Sequence, residues 1–308
     1  MTENKNSPEN LRKFLESDDP ALVRMGLSMA KVIDLSENLK GHLNLSLAER
    51  LWVIMKSNPI EENRTTAMEL LENNEEEIHE KELMIRLIND EKTSDETKTK
   101  IMNLALHTFD TKNRGYSYDG HVNLLGKIDS EYEEIFWATI YEQGYEEALI
   151  SIASSDPEWV GRQPMYRAIE LIKEWELVDD DTIEALISAT WNENTREPAY
   201  DALVNITDYD IELKQRKYIA KYIIEQNRND YLYEMYTMLE EYDQVPYLIE
   251  IFYELKRRII NEYGGSDYDS DAAKIIRKFL KSKDTNISSA LISKAKEVLE
   301  ILEHYGQS

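Results

Sequence analysis

The sequence predicts an all-α fold, an α-solenoid of about eight stacked antiparallel helical pairs. Three observations predict it. First, residues 162–172 read RQPMYRAIELI and residues 196–206 read REPAYDALVNI. Arg162/Arg196, Pro164/Pro198, Tyr166/Tyr200, Ala168/Ala202 and Ile172/Ile206 therefore coincide without a gap, 34 residues apart. Second, apolar residues recur at steps of three and four along most of the chain, as buried helical stripes do. Third, ten Gly and seven Pro in 308 residues are too few for a sheet-rich fold with many tight turns. No convincing run alternates apolar and polar residues between turns.

The elements follow in order. Ser17-Asp18-Asp19-Pro20 opens a helix whose Leu22, Val23, Leu27, Ala30 and Ile33 share a stripe. Ser57-Asn58-Pro59, Ser155-Asp156-Pro157 and Asp179-Asp180-Asp181-Thr182 open others, the last leading to Ile183, Leu186, Ile187 and Thr190. Each signal puts a side-chain oxygen where the first helical N–H groups lack partners, and three place Pro where its missing N–H costs nothing.

A basic residue leads each unit, with small or apolar residues three and six positions later. These are Arg24 (Leu27, Ala30), Arg64 (Ala67, Leu70), Lys98 (Ile101, Leu104), Arg162 (Met165, Ala168) and Arg196 (Ala199, Ala202). The spacings are 40, 34, 64 and 34 residues, and 64 accommodates two units with a degenerate one near 130–143. A weaker copy begins at Asp284, with Ile292 and Ala295 in the apolar places. The expected organisation is a repeat array over 1–263, a linker over 264–271 (GGSDYDSD) and capping helices of the same array over 272–308. The polar stretch 110–120, DTKNRGYSYDG, is expected to loop out.

One helical pair cannot bury its apolar face alone, so it stacks on the next and the same stripe must recur. Ala168 and Ala202 are small where neighbouring helices approach. Tyr166 and Tyr200 are expected to pack at the same place in successive units. Pro164 and Pro198 are tolerable only in a first turn, so each helix should begin or kink there.

The stretch SDDPALVRMGLSMAKVI (17–33) resembles the second half of a HEAT repeat, in which an Asp-Pro start leads to Val-Arg and a small-residue stripe. Asp19, Pro20, Val23, Arg24 and Ala30 match well, Asp156, Pro157, Arg162 and Ala168 more loosely, and the resemblance runs over roughly residues 9–206. It implies a right-handed solenoid of HEAT-like repeats. Arg24, Arg64, Arg162 and Arg196 read either as a row of cations along one surface that grips an anion or as a structural ladder, each reaching a carboxylate or helix-end carbonyl in a neighbouring unit. The resemblance favours the ladder. Such repeats serve as scaffolds, adaptors and occasionally enzymes. The Trp-x-x-Leu-Gly-x-x-Tyr core of tetratricopeptide repeats is absent.

Composition narrows the function. There is no cysteine, so disulfides, thiol nucleophiles and thiolate metal sites are excluded. The first ten residues, MTENKNSPEN, hold no apolar core for a signal peptide, and no run approaches 18 apolar residues, so a cytoplasmic protein is expected. With 61 acidic against 36 basic residues the net charge is −25, which repels nucleic-acid phosphates and anionic membranes and favours a basic protein partner. Acidity also promotes solubility. The windows 129–161, 174–195 and 229–255 contain no Lys or Arg, whereas 256–308 carries ten basic and eight acidic residues.

No catalytic, cofactor or metal residue is nominated. His42, His79, His107, His121 and His304 are scattered without metal spacing. Asp267, Asp269 and Asp271 alternate like calcium ligands, but Ala272 and Lys278 stand where Gly and Glu are needed. Ser270 or Asp271 is read instead as a helix cap. There is no phosphate loop, nucleophile elbow or kinase signature. The suggestive feature is tyrosine: 19 against five Phe, with eight between 231 and 268. Tyr231, Tyr233, Tyr236, Glu240, Glu241, Tyr242 and Asp243 are nominated as a surface that receives Lys or Arg through ion pairs and cation–π contacts.

The expected function is a non-enzymatic scaffold or adaptor that holds a basic protein segment or domain. The competing expectation is an enzyme of the DNA glycosylase type, since HEAT-like glycosylases use Trp, Asp and Arg and this chain has Trp159, Asp156 and Arg162. The negative charge of 129–195 disfavours it, because duplex DNA needs a positive face. A third expectation is an adaptor whose basic end, 256–308, holds an anionic partner.

Overall fold

The computed structural model describes residues 7–17, 19–34, 39, 43, 45–72, 78–109, 119–155, 162–262, 270–282 and 287–305. Among them the chain forms seventeen α-helices and no sheet. Helix starts follow the local chemistry. Ser7 Oγ accepts the N–H of Asn10 to open α1 (Pro8–Leu15), and Asp19 Oδ1 accepts that of Ala21 at 2.9 Å to open α2 (Pro20–Ala30). Ser46 and Glu49 form a reciprocal capping box at α3 (Leu47–Ser57), and Asn58 Oδ1 accepts from Ile60 just before α4 (Glu61–Glu72).

Then come α5 (Glu80–Ile88), α6 (Asp95–Phe109), α7 (Asp119–Leu125), α8 (Glu133–Gln143) and α9 (Glu146–Ala153). Gly144 ends α8 at φ 68°, a left-handed position that costs other residues strain. The remaining helices are α10 (Arg162–Glu174), α11 (Asp180–Ala189), α12 (Arg196–Ile206), α13 (Leu213–Glu225), α14 (Asn229–Glu241), α15 (Val245–Glu262), α16 (Ser270–Lys281) and α17 (Ser289–Tyr305). Asp179 caps α11 through the N–H of Thr182. Pro164 and Pro198 stand third in α10 and α12, in the first turn, where proline is tolerated.

The chain divides into two compact units, one running to Ser151 and one from Gly161 onward. In the first, α1 packs on α2, α2 on α4, α3 on α4 and α6, α5 on α6, and α6 on α7 and α8. In the second, α10, α12, α14 and α16 lie side by side in that order, and α13 packs on α15 and α15 on α17. Consecutive helices from α11 to α17 also pack on one another, as antiparallel pairs.

Burial follows the spacing read from the leading basic residues. Three residues after the leading basic position, Leu27, Ala67, Ile101, Met165 and Ala199 are all buried. Six residues after it, Ala30, Ala168 and Ala202 are buried, while Leu70 and Leu104 are half-buried. One expectation fails. Tyr166 is 46% exposed whereas Tyr200 is 3% exposed, so the two share a register and not an environment. Tyr200 lies between the rings of Tyr222 and Tyr231, at 6.2 and 5.7 Å. One repeat earlier, the equivalent positions are Ser188 and Glu197, which offer Tyr166 no rings.

The expected loop at 110–120 lies outside the described residues up to 118, and the expected linker lies outside them up to 269. Asp284 is also outside, but α17 buries Ala295, Val298 and Leu302 as its stripe requires.

The core of the first unit joins Leu11 and Leu15 of α1 to Val23, Leu27 and Ala30 of α2, and to Leu47, Leu51, Ile54 and Ala67 beyond. Gly26 is the point of closest approach. A Cβ there would lie 2.8 Å from Leu15 Cδ2 and 3.1 Å from the Leu15 backbone nitrogen. Gly26→Ala gains about 1 kcal/mol of helix propensity, but overpacking costs roughly 1–3 kcal/mol. Thermal unfolding should show a net loss of stability for Gly26→Ala. An unchanged or higher Tm would mean that α1 moves aside freely.

Candidate functional site

The seven nominated surface residues all lie on α14 and the turn that follows, in three different environments. Tyr236 is fully buried against Phe252, with ring centroids 5.8 Å apart, and belongs to the core, not to a surface. Its neighbours on the helix, Leu232, Met235 and Leu239, are buried with it, so the stripe 232-235-236-239 was already written in the sequence. Tyr231 is half-buried, its hydroxyl donating to Asp201 at 2.7 Å. Burial, then the Asp201 hydrogen bond, holds that phenol far above the ordinary tyrosine range. Tyr233, by contrast, is 59% exposed.

At the turn, Glu240 accepts from Lys278 of α16 at 2.5 Å. Glu241 and Asp243 are exposed, and Asp243 takes a left-handed φ of 55° as the chain leaves α14. Tyr242 is also exposed, but the Arg216 guanidinium lies over its ring at 4.4 Å. Arg216 is itself buried and donates to the carbonyls of Thr207 and, at 2.6 Å, Tyr209.

Tyrosines holding cations is thus a mode the chain uses internally. Lys217 lies over Tyr247 at 4.1 Å, and Lys256 over Tyr253 at 3.7 Å. Lys294 bonds both oxygens of Glu250, at 2.9 and 2.6 Å, while lying 4.9 Å from the Tyr253 centroid. Arg228 pairs with Glu197 and lies 4.8 Å from the Tyr200 centroid. The Tyr200 phenol is pushed up to about 12, by burial first and by Tyr222 second. Four basic side chains of the C-terminal segment are engaged inside the unit: Lys278 with Glu240, Lys294 with Glu250, Lys256 with Glu297 and Arg277 with Glu303.

The proposed arginine ladder is realised by a different set of residues. Arg24 does reach the next pair, at Glu62. Arg64 and Arg196 instead turn back six residues to the carbonyls of Asn58 (2.8 Å) and Thr190 (3.1 Å), closing the preceding helix end within their own pair. Arg162 is exposed at the start of α10. The contacts one repeat apart come from residues the sequence reading passed over: Arg50 with Glu16, Arg86 with Glu49 at 2.9 Å, and Arg228 with Glu197. Glutamate is so abundant that spacing could not select these partners.

The outward stripes of the second unit differ in charge. Along α10, α12 and α14 the exposed residues include Arg162, Tyr166, Glu174, Asp230, Tyr233, Glu234 and Glu241, together with Glu170, Glu197 and Asp201, which bond Lys173, Arg228 and Tyr231. Along α11, α13, α15 and α17 the charges pair across helices. Tyr218 donates to Glu184 at 2.7 Å, Lys221 pairs with Glu254 at 2.9 Å, and Lys294 pairs with Glu250. Trp191, just after α11, is 71% exposed, and nothing in its spacing announced that.

Among the described residues no group of three or more His, Asp or Glu is arranged to hold a metal. His121 is buried with Nε2 3.1 Å from the Leu106 carbonyl oxygen, and His107 meets Tyr145 edge-on. Asp271 lies within the first turn of α16 and bonds Lys274; Asp267, Asp269, Trp159, Asp156 and His42 lie outside the described residues. No described helix is long and apolar enough to cross a membrane. No family model matches this chain, and no match was found among the curated proteins or the solved structures.

Proposed function

We propose that this chain is a non-enzymatic protein-binding scaffold, a HEAT-like α-solenoid whose acidic, tyrosine-bearing surface holds a basic protein segment in the cytoplasm. The spacing of the leading basic residues, the packing of consecutive helices from α11 to α17, and the packing of α10, α12, α14 and α16 each on the next but one support the solenoid reading. The observation that carries the functional reading is a set of exposed carboxylates, Glu174 on α10 and Asp230, Glu234 and Glu241 on α14, that form no ion pair among the described residues. They stand with the exposed Tyr166 and Tyr233, whereas Glu184, Glu250 and Glu254 of α11 and α15 are engaged across helices. Carboxylates accelerate encounter with a basic partner, and a few aromatic anchors supply most of the affinity.

The test is capture from native lysate by the full chain and by the triple variant Asp230→Lys/Glu234→Lys/Glu241→Lys, at low and high salt. The expected result is a set of basic proteins retained by the unaltered chain at low salt and lost both at high salt and by the variant. Capture indifferent to salt and to charge reversal would overturn the reading.

A further inference from the structure

We infer that Asp230 and Tyr233 of α14 form an open clamp for one lysine or arginine side chain of a basic partner polypeptide, an inference that rests on the binding-scaffold reading. Inside the described α-helices, an acidic residue three positions before a tyrosine occurs three times: Glu197/Tyr200, Asp230/Tyr233 and Glu250/Tyr253. On a helix this spacing puts both side chains on one face, a few ångströms apart. In two of the three, a cation from another segment of the chain occupies the pair. Arg228 pairs with Glu197 while its guanidinium lies 4.8 Å from the Tyr200 centroid. Lys294 bonds Glu250 at 2.6 Å while its ammonium lies 4.9 Å from the Tyr253 centroid. In each case the carboxylate takes the N–H donors and the ring face takes the charge.

The third pair is built alike but stands on the outward stripe of α14. Asp230 and Tyr233 are both exposed, and among the described residues no Lys or Arg lies on the Tyr233 ring or bonds the Asp230 carboxylate. Glu234 and Glu241 stand on the same stripe, and the window 229–255 contains no basic residue that could fold back onto it. The occupied pairs thus show how the chain grips a cation, and the charge of this stripe says what it lacks. An arginine would present two donors to Asp230 and stack on the ring, whereas a lysine would sit as a point charge between them.

The experiment titrates the full chain into fluorescein-labelled hexalysine, read by fluorescence anisotropy at about 0.15 M salt, where charges beyond about 8 Å are screened. Tyr233→Leu and Asp230→Asn should each raise Kd roughly 2–5-fold, the scale of an exposed cation–π or ion-pair contact. Tyr233→Phe, which keeps the ring, should bind like the unaltered chain. Tyr166→Leu and Glu174→Gln, equivalent changes on α10, should change Kd by less than either clamp variant. All four sites are at the surface, so circular dichroism should show an unchanged fold for the five variants. If Tyr233→Leu has no effect and Glu174→Gln weakens binding as much as Asp230→Asn, the clamp is overturned while the acidic-surface reading stands. If the unaltered chain fails to bind hexalysine even at low salt, both are overturned.

Discussion

Tyr236→Ala is expected to destabilise the second unit by about 3–5 kcal/mol, the range for deleting a buried aromatic ring, while Tyr233→Ala changes stability by about 0.5 kcal/mol or less. The two tyrosines are three residues apart on one helix, but Tyr236 has no exposed surface and Tyr233 is 59% exposed. Removing the Tyr236 ring takes the partner from Phe252 and opens a cavity among Leu232, Met235 and Leu239, which lie on its own stripe. Such a loss is a large part of the stability of a typical domain, roughly 5–15 kcal/mol. Urea unfolding followed by circular dichroism gives the size. Hydrogen exchange gives the place, since protection should fall first in α14 and α15. Equal effects of the two substitutions would mean that α14 is rotated from the orientation described.

Arg216→Ala should be the costliest change at a charged residue of the second unit, at about 2–4 kcal/mol, built from charge-assisted hydrogen bonds worth about 1.5–3 kcal/mol each and partly offset by relaxation. The guanidinium is 6% exposed and satisfies the carbonyls of Thr207 and Tyr209, where the chain turns from α12 to α13. Its outer face is covered by the Tyr242 ring. Arg216→Lys should recover only part of the loss, because one ammonium cannot reproduce a planar fork that spans two carbonyls. Tyr242→Ala should cost less than Arg216→Ala, since both hydrogen bonds survive it. Urea midpoints of the three variants test this ordering, and an Arg216→Ala midpoint equal to that of the unaltered chain would refute it.

These residues also mark how much was legible beforehand. Caps were legible because a cap is local: Asp19 and Asp179 need only reach an N–H two or three residues away. The stripe of small residues was legible because a helix face repeats every three to four positions, and Ala168, Ala199 and Ala202 are buried accordingly. Tyr236 was legible in principle from its stripe, yet tyrosine joins a large apolar ring to a polar tip, so composition favoured a surface role it does not have. Arg50, Arg86 and Arg228 were not legible at all. Each bonds a glutamate 31–37 residues away, and many other carboxylates lie at comparable separations.

The basic C-terminal segment makes the same point about charge. Its excess of Lys and Arg suggested a docking site for an anionic partner, but Lys256, Arg277, Lys278 and Lys294 bond carboxylates of their own unit. Linear charge bands say which sign a region carries. They do not say which charges neutralise one another once helices pack.

By itself, then, the sequence determined the helical class, the starts capped by Asp19 and Asp179 and the buried stripes, because capping and periodicity act within a few residues along one chain. Only the tertiary structure decided which tyrosines are core and which are surface, which cations are already held, and that Asp230/Tyr233 is left open while Glu197/Tyr200 and Glu250/Tyr253 are filled. That choice depends on which helix lies against which, and so on contacts between residues a whole repeat apart.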